Sequence, residues 1–253
     1  MKQTDRTVIV TGAARGIGFA IANGFIQNGD FVIIADIDGV EANEAARRLG
    51  PRAVGYQLDV ADEESVREFT NKVISERGTV HVLVNNAGLQ HIDKVEDFPT
   101  DRWCLLIDVM LTGTFLMTKY TLPYMKNQQY GRIINVSSAH GKMASPYKSA
   151  YVSAKHGVVG FTRTIALETA TEGITVNTIM PGPVKTELIE KQIGKLAEED
   201  GISEEEAIQK HLLGKQPMKR FIDPSEIAGT AVFLASDSAA SITGDAISVS
   251  GGI

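Results

Sequence analysis

The chain has 253 residues and one cysteine, Cys104, so no internal disulfide can form. That scarcity fits a reduced, cytoplasmic setting, and Cys104 reads as a core residue rather than a nucleophile. Positive charge is not in excess: 25 Lys and Arg stand against 31 Asp and Glu, a net charge of -6. With no basic stripe or tail to meet phosphates, nucleic acid is excluded as the main partner. The N-terminal MKQTDRTVIV lacks an apolar leader, and no unbroken apolar run reaches the roughly eighteen residues that a membrane span needs. Repeats and low-complexity linkers are also missing, so one domain over residues 1–253, with no metal, is expected. What remains is an ordinary globular composition, 43% hydrophobic and 22% charged, in a chain long enough to bury a substantial core.

Short apolar runs rich in β-branched residues alternate with helical patterns. TVIVTG, FVIIAD, AVGYQLDV, HVLVNNAG, RIINVSS, ITVNTIMP and AISVSGG read as strands, and the helices between them imply a doubly wound parallel sheet of about seven strands. The first strand opens through Gly12, Gly16 and Gly18 into a helix, which offers bare amides and a positive dipole end to a diphosphate. Such a turn also arises for purely conformational reasons. Asp36 ends the second strand, where an acid can bind both hydroxyls of a ribose and repel a 2′-phosphate; Arg15 could pair with that phosphate instead, although a solvated loop charge suffices to explain it. Residues 188–222 carry Leu188, Ile189, Ile193 and Leu196 at helical spacing, then Ser203 and Glu206 in capping-box register. They form either a small helical lid over the site or a solvated surface hairpin.

The chemistry concentrates between Asn135 and Gly160, where Ser138 lies thirteen residues ahead of Tyr151 and Lys155 follows four later. Four apart on a helix places Tyr151 and Lys155 on one face. An ammonium beside a phenol favours the phenolate, which makes a base usable near neutral pH; a three-unit depression needs about 4 kcal/mol, so a cationic cofactor ring nearby would help.

TGAARGIG, Asp36, NNAG, NVSS, Tyr151 with Lys155, and PGPVKT occur in one order along the whole chain, and together they resemble the short-chain dehydrogenase/reductase superfamily. The resemblance implies a single Rossmann-type domain, usually a homotetramer. It makes Tyr151 the general acid/base, Ser138 the group that hydrogen-bonds the reacting oxygen, and Lys155 the residue that lowers the tyrosine pKa and holds the nicotinamide ribose. It also implies that Gly12, Arg15, Gly16, Ile17, Gly18, Asp36, Asp59, Val60, Asn86, Ala87, Gly88, Pro181, Gly182, Val184 and Thr186 line the dinucleotide with Tyr151 and Lys155. Asp36 favours NAD over NADP.

GLQHI, EDFP, SSAHG, AYVSAKHGVVG, LETAT, EKQIG and QKHLLGKQP are similar to D-3-hydroxybutyrate dehydrogenases. That similarity implies a carboxylate clamp of Gln90, His140, Lys148 and Gln192, and reversible NAD-dependent oxidation of (R)-3-hydroxybutyrate to acetoacetate. A lysine, a histidine and two amides are donors that a buried carboxylate needs. The alternatives are another short-chain reductase, acting on a sugar, polyol or acyl-carrier substrate, and a non-catalytic dinucleotide-binding protein. One position departs from the superfamily: Met110 stands in DVMLTG where an asparagine usually helps hold a water that links the lysine to solvent. A thioether donates no hydrogen bond, so slower proton relay with intact binding is expected.

Overall fold

A computed structural model describes residues 5–214 and 216–253, without the side chains of residues 187, 188, 190–192, 195 and 199. Seven strands form one parallel sheet in the order β3-β2-β1-β4-β5-β6-β7. They are β1 (Thr7–Thr11), β2 (Phe31–Asp36), β3 (Ala53–Gln57), β4 (Val82–Asn85), β5 (Gly131–Val136), β6 (Ile174–Pro181) and β7 (Ala246–Val249). The helices between them are α1 (Gly16–Gln27), α2 (Gly39–Leu49), α3 (Glu63–Arg77), α4 (Thr100–Ile107), α5 (Gly113–Asn127), α6 (Ser149–Thr169), α7 (Glu187–Asp200), α8 (Glu204–Ala207) and α9 (Pro224–Leu234).

The strand sequences are apolar at successive positions because both faces of the sheet are covered. Val8, Val10, Val32, Ile34, Val82 and Val84 point to one side and pack with Ile21, Phe25, Ala42 and Ala231 of α1, α2 and α9. Ile9, Ile33, Leu83 and Ile133 point to the other and meet Val66, Phe69 and Val73 of α3, Met117 and Met125 of α5, and Ala166 of α6. The fold class expected from the sequence is the one observed. Strand order reverses between β1 and β4, and the crevice above that reversal, at the C-terminal strand ends, is where such sheets take ligands.

Two strands are shorter than the apolar patterns suggested. β3 stops at Gln57, so Asp59 and Val60 lie beyond its ladder, and β4 covers only Val82–Asn85 of the run to Gly88. The helical stretch from Thr100 to Asn127 is continuous but widens into a π-helical turn at Asp108–Thr112. By length and hydropathy this helix could cross a bilayer. Here it is a core helix, burying Leu106, Met110, Met117 and Met125. Cys104 corrects an expectation: it is exposed, because Leu106 faces inward and two residues turn a helix by about 200°.

Between β6 and β7, Thr186 caps α7 and Ser203 with Glu206 forms a reciprocal capping box that starts α8. α8 runs on as a π-helical turn, Ile208–Leu213. Asp200 at the end of α7 takes Lys210 at 2.9 Å and His211 at 2.5 Å, which ties the two helical pieces together.

Candidate active site

Ser138 follows the buried end of β5 and caps a single 3-10 turn, Ala139–Gly141; its Oγ accepts from the His140 amide at 3.2 Å. α6 brings Tyr151 opposite this turn, where the Ser138 hydroxyl acts to lower the phenol's pKa. Burial acts the other way and leaves the Tyr151 pKa raised. Lys155 sits with its Nζ 5.6 Å from the Tyr151 ring centre and donates to the Val136 carbonyl at 2.8 Å. Burial pushes the Lys155 ammonium down to about 8. Among the described residues, Ser138 is thus the group that acts to lower the tyrosine's pKa, against its burial.

His140 packs edge-on to Tyr151, ring centres 5.8 Å apart, and its Nε2 meets Ser145 Oγ at 2.9 Å. Burial, with the Lys148 cation nearby, pushes His140 down to about 4, so the ring is neutral at assay pH. Lys148 precedes α6; burial lowers its pKa, and among the described residues no acid pairs with it. Gln90 sits on the loop after β4, which is joined to the Lys148 segment by the Asp93 amide donating to the Tyr147 carbonyl at 2.9 Å. Its Nε2 is buried without a partner. The fold therefore gathers Ser138, His140, Lys148, Tyr151 and Lys155 and ties the Gln90 loop to them. Gln192 lies on α7, and its side chain is outside the described residues.

His140 yields a pH prediction. Its folded pKa lies below the ordinary imidazole value, so the unfolded chain binds the extra proton between about pH 6.5 and 4, and folding stability is lost as pH falls through that window. A His140→Asn variant should lose less melting temperature between those pH values than the parent protein. Above pH 6 the turnover profile should show no inflection from His140.

The nucleotide end fits a dinucleotide diphosphate. Gly12 and Gly16 take φ values of +60° and +58°, which side chains rarely adopt. A Cβ on Gly12 would lie 2.8 Å from Ala87 Cα, and one on Gly18 2.3 Å from the Gly12 carbonyl. α1 begins at Arg15 with no side-chain cap and no acid in its first turn, so its first amides are left for an anion. Asp36 accepts from the Ala14 and Asp38 amides at 3.1 and 3.3 Å, which fixes its carboxylate beside the glycine turn. Arg15 is exposed, and Ile17 packs partly on the core. Asp59 accepts from the Ala61 amide, and Val60 is buried against Gly113. Pro181 ends β6; a Cβ on Gly182 would lie 2.8 Å from Ser250 Cα; Val184 bridges to Ile222.

Sequence reasoning missed the layer beneath. Thr11 Oγ1 accepts from the Asn86 and Ala87 amides at 3.0 and 3.1 Å, while Asn86 Nδ2 donates to the Thr11 and Gly12 carbonyls. Asn85 donates to Asn135 at 2.8 Å, Asn135 to Thr162 at 2.8 Å, and Thr178 to Thr162 at 2.7 Å. Ser137 Oγ donates to the Lys155 carbonyl at 2.9 Å and fastens α6 to β5. The available signal was an asparagine at the end of each apolar run, HVLVN and RIIN. Met110 is 1% exposed in the π-helical turn, beside Leu106, Ala150, Ala154 and Tyr151; its sulfur would be 3.7 Å from a Cβ on Gly88.

Residues 12–253 match a family profile described as Enoyl-(Acyl carrier protein) reductase. Two proteins named D-beta-hydroxybutyrate dehydrogenase, from Rhizobium meliloti (strain 1021) and Cupriavidus necator, are 41% and 42% identical to this chain. The alignments cover 98% of this chain and 98% and 97% of theirs. A 3-oxoacyl-(acyl-carrier-protein) reductase from Vibrio harveyi is 36% identical over 100% of this chain and 99% of its own. Fold, site and relatives together define an oxidoreductase that works with a nicotinamide dinucleotide. The chain belongs to the short-chain dehydrogenase/reductase superfamily.

Proposed function

We propose that the chain oxidises (R)-3-hydroxybutyrate reversibly to acetoacetate with NAD. The observation that carries this reading is Lys148: a desolvated cation with no acid partner among the described residues, beside the tyrosine and a histidine kept neutral. A small hydroxy acid supplies the missing carboxylate, and the unpartnered Gln90 Nε2 adds a donor. Tyr151 takes the proton from the C3 hydroxyl and Ser138 holds that oxygen. When bound, NAD accepts the hydride. Lys155 holds the nicotinamide ribose, and the uncapped start of α1 holds the diphosphate. Asp36 selects NAD by binding the ribose hydroxyls. The Gln192 helix, within 188–222, closes as a lid, and the enzyme works as a cytoplasmic homotetramer.

The test follows NADH absorbance with NAD or NADP and each enantiomer of 3-hydroxybutyrate. Reduction of NAD with the R form alone supports the carboxylate clamp, Asp36 selectivity and a working proton relay despite Met110. Turnover of a 3-oxoacyl carrier substrate with no response to hydroxybutyrate favours the second reading, which the Vibrio harveyi relative motivates. NADH binding without any turnover would point to a non-catalytic role.

Met110 gives a further expected result. Met110→Asn buries an amide among apolar neighbours and should cost about 1–3 kcal/mol of stability. If the relay is limiting, it should also raise turnover. Unchanged turnover and pH dependence would show that the relay does not use this position.

A further inference from the structure

The turn that carries Ser138 is stiff and short. The Gly141 amide donates to the Ser138 carbonyl at 2.8 Å, and the Lys142 and Met143 amides donate to the Ala139 carbonyl at 3.2 Å. A Cβ on Gly141 would lie 2.5 Å from Ser137 Oγ, so the turn is pressed onto its own strand end. Lys142 closes the turn. The residue is exposed, and its ammonium donates to Ser248 Oγ on β7 at 2.9 Å and to the Ile253 main-chain oxygen at 2.7 Å.

The segment that Lys142 grips is itself clamped to the foot of the helical insertion. Ser250 Oγ donates to the Ile253 carbonyl at 2.8 Å. Gln216, wholly buried, donates through Nε2 to the Ser250 carbonyl at 3.1 Å and accepts from the Arg220 amide at 2.9 Å. The Met218 amide donates to the Gly251 carbonyl at 3.1 Å. Gly251 has φ +69°, and a Cβ there would lie 2.6 Å from Gln216 Nε2, so no side chain fits between the two. A contiguous hydrogen-bonded path therefore runs from the insertion, through residues 250–253, to the serine turn.

We propose that Lys142 is a positioning residue for the reaction: by gripping Ser248 and Ile253 it fixes the turn bearing Ser138, and couples it to the foot of the insertion. The proposal rests on the reading of Tyr151 and Ser138 given above. Its consequence falls on Tyr151, whose pKa burial raises and the Ser138 side chain beside it acts to lower. Among the described residues, the titratable groups around Tyr151 are His140 on the turn, Lys148 just before α6 and Lys155 on it. The helix packed across it presents the apolar Trp103, Leu106 and Met110.

The test titrates the Tyr151 phenolate by ultraviolet difference absorbance against Tyr151→Phe, in the parent chain and in Lys142→Met, Lys142→Arg, Ser248→Ala and Ser138→Ala. Lys142→Met should raise the apparent pKa by about half a unit or more and lower kcat near neutral pH by about threefold or more, with NADH affinity within about twofold. Ser138→Ala should shift the pKa the same way. Lys142→Arg should restore the parent value. Ser248→Ala, which keeps the lysine charge, should give a smaller upward shift; this variant also carries the test if Lys142→Met folds poorly. Coincident titrations of the parent, Lys142→Met and Ser248→Ala would overturn the proposal, as would failure of arginine to rescue. The titration needs no substrate. Inactivity toward hydroxybutyrate would therefore sink the substrate reading and leave this result standing on its own.

Discussion

Tyr151→Phe should lower kcat by roughly 10²–10⁴-fold while NADH affinity stays within about twofold. The phenyl ring keeps the packing against Leu106, Met110 and the edge of His140, so the pocket does not collapse. What disappears is the phenol oxygen, whose pKa Ser138 acts to lower. Neither neighbour can take over. Ser138 has an alcohol's basicity, and the Lys155 Nζ is directed to the Val136 carbonyl, to which it donates at 2.8 Å. The parent enzyme's oxidation rate should rise with pH as the phenolate becomes accessible, since burial sets the phenol's pKa high before a cofactor cation assists. The variant's residual rate should lose that slope. A parallel slope in the variant, or a loss under tenfold, would mean that another group takes the proton.

Much of this architecture was readable in one dimension because its determinants are local. A strand buried on both faces is largely apolar at consecutive positions, and VIV and VII announce β1 and β2 directly. The capping box at Ser203 and Glu206 is likewise a contact three residues long. Tyr151 and Lys155 were legible because helical periodicity alone places them together. The Ser138 contact to that pair needed the resemblance, since nothing local in the sequence says how α6 folds back onto β5.

What escaped was set by tertiary packing. Asn85 finds Asn135 across 50 residues and Asn135 finds Thr162 across 27, so their pairing has no local signature. Lys142 reads as a solvated charge until the fold brings Ser248 and Ile253, 106 and 111 residues away, to its ammonium. Cys104 was misplaced because rarity suggested burial, whereas the helical phase set by Leu106 and Met110 turns it outward. The π-helical turn at Asp108–Thr112 shows how one extra residue in a helix can change which side chain faces the site. Within it Met110 keeps the face of Leu106, four residues earlier, and sits beside Tyr151 and under Gly88.

Lys148→Met should raise KM for (R)-3-hydroxybutyrate by about 30-fold or more. Removing one partner of a buried, hydrogen-bonded charge pair costs about 2–5 kcal/mol, and each 1.4 kcal/mol is about tenfold. The site makes that cost hard to evade. His140 is held neutral down to about 4 by burial and the Lys148 cation, and Gln90 offers an uncharged amide. With Lys148 gone, the substrate carboxylate enters a desolvated pocket without a full positive charge. The same substitution removes one reason for the depressed imidazole pKa, so His140 should become easier to protonate and partial recovery of affinity should appear as pH is lowered. NADH affinity should not change, which separates loss of the clamp from loss of the fold. A substrate linked to a carrier has no free carboxylate to lose, so a KM that rises for hydroxybutyrate and holds for a 3-oxoacyl thioester would mark Lys148 as the carboxylate's partner. Equal effects on both substrates would instead assign Lys148 to the architecture of the α6 start and withdraw the clamp.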